Sequence, residues 1–224
     1  MSSNDRTRVV AAFDFDGTVS RRDTLVPFLA KVAGMPASAV AASAAAWSAV
    51  RGHLDWRNRD DVKAHMIQRL LEGRSERDLQ RRGGEYATAL LDKGLRPEVV
   101  VQLQRHVAAG HDTLLVSASL VYYLDPLARW FHLAGVIAVD PEVRDGVLTG
   151  AMRHPNVRAE QKAVRLRQWL GAPAEGPLEG VELWAYGNTS GDHALLELAD
   201  HAFWLGKPDT RPAGVVQFRP DVAF

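Results

Sequence analysis

The 224-residue chain has no cysteine, which excludes disulfides, thiol nucleophiles and Cys-ligated zinc. It has no excess charge. Its 27 basic residues are matched by 27 acidic ones, so neither a nucleic-acid-binding stripe nor a polybasic membrane patch is expected. Long apolar runs are missing too. The longest stretch of small apolar residues, Ala37 to Val50, is broken by Ser38, Ser43 and Ser48 and falls short of a membrane span. The eight histidines show no H-E-x-x-H or comparable metal spacing, and His193 beside Asp192 reads as incidental. The first residues, Met1 to Arg8, are polar, and the apolar run after them is too short for a signal sequence. A cytoplasmic protein is therefore expected, without membrane insertion, its oligomeric state open between monomer and homodimer.

The informative stretch is Val9 to Ser20, VVAAFDFDGTVS. Val9-Val10-Ala11-Ala12-Phe13 reads as a buried strand, and it delivers Asp14 and Asp16, one residue apart, followed by Gly17 and Thr18. Ligands of open α/β sheets sit outside the carboxyl ends of the strands. Two carboxylates there suit metal-assisted phosphoryl chemistry, one attacking and binding metal, the other moving a proton. An ordinary Asp-Gly turn is the competing reading.

Three later segments each end a strand or begin a helix. In Leu114-Leu115-Val116-Ser117-Ala118-Ser119 an apolar run ends in a hydroxyl. Ser117 is either a helix N-cap or a donor to a phosphoryl oxygen. Lys162 lies on an amphipathic helical stretch, where a solvated face is the alternative. Leu183-Trp184-Ala185-Tyr186 runs into Gly187-Asn188-Thr189-Ser190-Gly191-Asp192, a turn carrying a carboxamide and a carboxylate.

Taken in order, these segments resemble the four motifs of the haloacid dehalogenase superfamily, and within it the phosphoserine-phosphatase-like branch. The hairpin-like Gly146-Val147-Leu148-Thr149-Gly150 ahead of the lysine helix is similar to that branch as well. The resemblance implies a Mg²⁺-dependent phosphomonoesterase acting on a small phosphorylated substrate, phosphoserine-like as the first choice. It implies that Asp14 is the nucleophile and forms an aspartyl-phosphate, and that Asp16 is the general acid and base. Ser117 and Lys162 would hold phosphoryl oxygens, with Gly17, Thr18, Ala118 and Ser119 around the substrate. Mg²⁺ would lie on Asp14, the main-chain carbonyl of Asp16, Asn188 and Asp192. An aspartate at position 16 favours phosphatases over the dehalogenases and ion-pumping ATPases of the superfamily.

One position departs from the pattern. The fourth motif most often begins Gly-Asp, and here it is Gly187-Asn188. Asn188 still offers a carbonyl oxygen but no charge, so a higher Mg²⁺ requirement is expected. The rival readings are a phosphotransferase or phosphomutase on the same motifs, and a catalytically weakened binding protein.

The chain divides by texture. Asp23–Gly34, Pro36–Arg51, Arg59–Glu72 and Ser75–Asp92 read as helices, punctuated by Gly34, Gly52, Gly73 and Gly94, with Ser75 and Asp78 as a capping pair. Beyond Arg96-Pro97, strands and helices alternate: Thr113–Val116, Val136–Val139, Glu182–Tyr186, Ala202–Leu205 and an edge strand Val215–Phe218. This alternation predicts an α/β fold, a Rossmann-like doubly wound parallel sheet, and the resemblance implies that the helical stretch is an inserted small α-helical cap. Residues 1–20 and 96–224 would form the core, and 21–95 the cap. In phosphoserine phosphatases an acidic residue nine positions after the nucleophile meets the substrate's amino group. That singles out Asp23, which reads equally as a helix N-cap. Arg57, with Arg59 and Lys63, is a candidate for a substrate carboxylate or second phosphate. The tryptophans read as core or interface.

Overall fold

The structure, a computed structural model, describes residues 7–36, 38–40, 42 and 58–220, the last range with side chains from residue 65 onward. In chain order the strands are β1 (Arg8–Phe13), β2 (Asp112–Leu120), β3 (Gly135–Val139), β4 (Pro141–Arg144), β5 (Val147–Met152), β6 (Val181–Gly187), β7 (His201–Trp204) and β8 (Val216–Gln217). The helices are α1 (Leu25–Ala33), α2 (Asn58–Leu71), α3 (Glu76–Lys93), α4 (Pro97–Ala108), α5 (Val121–Trp130), α6 (Glu160–Leu170) and α7 (His193–Glu197).

Six strands form one parallel sheet in the order β3-β2-β1-β6-β7-β8. Both faces are covered, and the two-residue period of a strand divides its apolar side chains between them. Val10 and Ala12, with Leu114, Val116, Leu183 and Ala185, meet Leu166 of α6 and Leu195 and Leu196 of α7. Ala11 and Phe13, with Leu115, Trp184 and Tyr186, meet Leu103 of α4 and Tyr123, Leu124 and Leu127 of α5. The chain runs outward from β1 to β3, then returns to start again at β6. The strand order therefore reverses between β1 and β6, where a crevice opens at the carboxyl ends.

The expected strands are all present, with one substantive difference. β2 runs four residues past Val116, so Ser117 lies within a strand and caps no helix. Its register against β3 shifts between Val116 and Leu120, and α5 begins only at Val121. Hydrogen bonds from Ser119 N to Ser117 Oγ, at 3.1 Å, and from Ser119 Oγ to Asp16 hold this extension.

Between β1 and α4 the described residues form the helices α1, α2 and α3. The segment leaves and rejoins the sheet side by side: Ser20 pairs with Leu95, Arg21 N donates to Gly94 O at 2.9 Å, and Arg96 N to Val19 O at 2.9 Å. The hairpin β4–β5 is tied to the turn between α2 and α3, with Gly73 N donating to Leu148 O and Leu148 N to Arg74 O, each at 2.9 Å. The capping pair expected at Ser75 and Asp78 is not made. Ser75 bonds no helix N–H with its side chain, and Asp78 is drawn to Arg81 and Arg82. Most of the expected helix Pro36–Arg51, together with Arg57, Trp47 and Trp56, lies outside the described residues, as do the side chains of Arg59 and Lys63. Trp184 and Trp204 are buried, whereas Trp130 is 67% exposed at the end of α5. Among the described residues, no helix is long and apolar enough to cross a membrane.

Candidate active site

β1 ends at Phe13, and Asp14 follows at the crevice, where its N–H donates to Tyr186 O of β6 at 2.9 Å. The rings of Phe13 and Tyr186 stack at 4.1 Å and fix the two strand ends against each other. The chain then makes one wide turn, Phe15–Val19, in which Gly17 takes φ +81°. An L side chain is strained in that conformation. The turn is closed by Ser20, whose N–H donates to Phe15 O at 2.9 Å and whose Oγ accepts from Gly17 N at 3.2 Å.

Lys162 is on the first turn of α6 and is buried, not solvated. Its Nζ donates to Asp14 Oδ1 at 2.5 Å and to Asp192 Oδ1 at 2.6 Å. Residues from β1, α6 and the turn after β6 thus meet in one buried bridge. Burial on its own would depress the lysine, but the charges and hydrogen bonds of Asp14 and Asp192 outweigh it and hold the ammonium above its ordinary range. The two carboxylates move apart. Asp14 is raised to about 7, first by burial and then by the charge of Asp192, against the pull of Lys162. Asp192 is lowered: burial opposes this, but Lys162 and the N–H groups of Thr189 and Asn188 prevail. Asp192 Oδ2 accepts from Asn188 N at 3.0 Å, Thr189 N at 2.9 Å and Thr189 Oγ1 at 3.1 Å. Both of its oxygens are engaged, so Asp192 orients Lys162 and the turn.

Asp16 is held between two elements. Its Oδ1 accepts from Thr24 N at 2.8 Å and Thr24 Oγ1 at 2.6 Å, and its Oδ2 accepts from Ser119 Oγ. Ser119, expected at the substrate, instead positions Asp16. Ser117 Oγ accepts from Ser119 N, leaving its O–H to donate, and Ser117 lines the cavity with Ala118. Asp23 also lines the cavity, and its Oδ1 accepts from Val26 N in the first turn of α1 at 3.1 Å, as a capping side chain does.

Thr18 is expected around the substrate. It reaches across to Asn188 instead, at 3.1 Å. The end of the Asn188 amide also stands 3.2 Å from Asp14 Oδ2 and 3.3 Å from the main-chain oxygen of Asp16. With its NH₂ turned in, the amide donates to all three oxygens. Turned the other way, its oxygen joins a carboxylate oxygen and a carbonyl oxygen facing one point. Hard oxygen donors of that kind are what Mg²⁺ takes, with waters completing its shell. The donor set fits such a cation while bringing only one carboxylate. Among the described residues no group of three His, Cys, Asp or Glu side chains is placed to hold a metal ion.

These groups surround a cavity of about 370 Å³. Three further contributors went unrecognised in the sequence. Thr24 fixes Asp16, Thr189 fixes Asp192, and Arg158 lines the cavity on the side of the Asn188 turn. A hydroxyl eight residues from Asp16, or three from Asp192, carries no signal in sequence beyond that of a cap.

Comparison with known proteins places this geometry among relatives. Residues 11–197 match the family model of haloacid dehalogenase-like hydrolases. Protein CicA of Caulobacter vibrioides is 30% identical over 215 residues, covering 89% of this chain and 88% of that protein. The phosphoserine phosphatase of Idiomarina loihiensis is 29% identical over 161 residues, covering 71% of this chain and 66% of that protein. The crystal structure of a protein of unknown function from Bordetella pertussis Tohama I matches with a TM-score of 0.75 at 30% identity, over 91% of this chain and 92% of that one.

Proposed function

The chain belongs to the haloacid dehalogenase-like hydrolases, in their phosphoserine-phosphatase-like branch, and from that premise we propose that it is a Mg²⁺-dependent phosphomonoesterase working through an aspartyl-phosphate on Asp14. The observation that carries this reading is the buried Asp14–Lys162–Asp192 bridge at the carboxyl ends of β1 and β6. A carboxylate nucleophile must be charged, and burial opposes its charge. Lys162 offsets that penalty at 2.5 Å.

Asp14 attacks phosphorus, forming the acyl-phosphate bond as the bond to the leaving oxygen breaks. Asp16 gives that oxygen a proton, then takes one from the water that attacks the phosphorus of the aspartyl-phosphate, releasing phosphate and restoring Asp14. Ser117 and Lys162 hold phosphoryl oxygens and neutralise charge that builds in the transition state. The Asp14 carboxylate, the Asp16 carbonyl and the Asn188 amide oxygen would hold Mg²⁺, which would supply further positive charge at the phosphoryl group. Thr24 ties the acid to the start of α1, so the position of the helical segment bears on the protonation step.

In this reading residues 21–95 act as a cap that excludes water and selects the leaving group. A cavity of about 370 Å³ suits a small phosphorylated metabolite, with phosphoserine-type compounds first. Phosphate release from a panel of phosphomonoesters, with and without Mg²⁺, for wild type and Asp14→Asn, tests it. Metal-dependent release abolished in the variant is expected. Release unaffected by Asp14→Asn would overturn the proposal.

A further inference from the structure

We propose that Arg158 forms an anion subsite at the mouth of the active cavity and reads a second negatively charged group, a carboxylate or a further phosphate, on the leaving part of the substrate. The inference rests on the phosphomonoesterase reading of the same cavity.

Four carboxylates line the cavity, from Asp14, Asp16, Asp23 and Asp192, and among the described residues two cationic side chains do, Lys162 and Arg158. Lys162 is at the floor, 2% exposed and committed to Asp14 and Asp192. Arg158 precedes α6 and is partly exposed. In this reading the leaving group of a phosphoryl bound at Asp14 points away from the buried Lys162, toward the more exposed part of the cavity. A guanidinium there presents parallel N–H donors that match a carboxylate or phosphate in two-point fashion. Partial burial strengthens such a contact relative to open water.

The backbone around Arg158 is built to hold it. Its N–H donates to Asn156 O at 2.9 Å, and the next N–H, of Ala159, donates to Gly191 O at 2.9 Å. Ala159 takes φ 50° and ψ −129° to turn the chain from Arg158 into α6. A non-glycine residue in that region is strained, and such strain gathers at functional sites. The side chain is laid against the fourth-motif turn. A Cβ at Gly191 would stand 3.0 Å from Arg158 Nε and 3.1 Å from Cγ, so the glycine makes room for this stem.

Phosphonates, whose P–C bond resists hydrolysis, read the subsite without turnover. Methylphosphonate, phosphonoacetate and methylenediphosphonate share one phosphonate and differ in carrying no second anion, a carboxylate, or a second phosphonate. Their dissociation constants are measured with saturating Mg²⁺ for wild type, Arg158→Gln and Arg158→Lys, each first shown to melt cooperatively. Wild type should bind one of the two doubly anionic ligands about 10- to 100-fold more tightly than methylphosphonate. The favoured ligand distinguishes a carboxylate from a phosphate subsite. Arg158→Gln should erase the preference with little change for methylphosphonate, and Arg158→Lys should restore part of it. A preference that survives in Arg158→Gln, or none in wild type, would overturn the proposal. Discrimination among phosphonates without phosphate release from any monoester would instead count against the phosphatase reading and leave the subsite standing.

Discussion

Gly83 of α3 lies so close to α5 that a Cβ on it would fall 2.1 Å from the main-chain oxygen of Tyr122. Pro126, four residues after Tyr122, has no N–H to give that oxygen its helical partner, so the two helices meet where one carbonyl is relieved of its usual bond. The contact fixes the last helix of the proposed cap against the core. Gly84, next in sequence, has nothing within 4 Å of its Cβ position.

These neighbours should respond oppositely to the same change. Alanine is favoured over glycine in a helix by about 1 kcal/mol, and Gly84→Ala should gain roughly that. Gly83→Ala should instead lose about 1–3 kcal/mol through overpacking against backbone. Thermal melts of the two variants check this, with shifts of about 2–4 °C per kcal/mol for a chain of this size. Equal shifts would show that the close approach is not limiting.

Asn188→Asp places a second carboxylate at the converging oxygens, 3.2 Å from Asp14 Oδ2. Without metal, the like charges should lower the melting temperature. With Mg²⁺ the order should reverse, and the half-saturating Mg²⁺ concentration should fall about tenfold, since ligand charge sets affinity. An unchanged Mg²⁺ requirement would remove Asn188 from the cation's ligands.

Acid stability should also depend on a histidine away from the site. His106 is fully buried, with Nδ1 2.8 Å from His111 Nδ1 and Nε2 2.9 Å from the Tyr186 hydroxyl. Gln102 Nε2 donates to the same hydroxyl at 3.1 Å. A neutral ring satisfies these contacts, with Tyr186 donating to Nε2 and Nδ1–H donating to His111. Burial first, and His111 second, push His106 down to about 3. An unfolded histidine titrates near 6.5. Between these values the unfolded chain binds one more proton, so this stability is complete above about pH 6.5 and drains away as pH falls toward 3. In His106→Gln, unfolding free energy between pH 6 and 4.5 should fall less steeply, by about 1.4 kcal/mol per pH unit. Denaturant titrations at several pH values give the slopes, and parallel slopes would contradict this assignment.

The sequence exposed the parts of this molecule that repeat with a period or follow a strand. Val9 to Phe13 announced β1 because it is buried on both faces, and Asp14 follows directly because chemistry sits where such strands end. Lys162 and Asp192 were recognisable only as members of an ordered set, since a lysine on an amphipathic helix is ordinarily solvated. What stayed hidden was mutual orientation. Ser119 and Asp16 are 103 residues apart, and nothing in either segment shows that one hydroxyl serves the other's carboxylate. Asp192 carried the acidity of a metal ligand, and nothing in the sequence shows that N–H groups of its own turn also donate to its Oδ2. Ser117 resembled a helix cap because propensity cannot see β2 extended by side-chain bonds.

The proposed mechanism requires that Asp14 become phosphorylated. Wild type mixed with a phosphorus-labelled substrate, quenched in acid within milliseconds and digested, should carry label on the peptide containing Asp14. That label should be released by hydroxylamine, as an acyl phosphate is, and Asp14→Asn should carry none while retaining its fold. Label of equal amount in Asp14→Asn, or full turnover in wild type with no labelled Asp14 peptide at any quench time, would contradict the account.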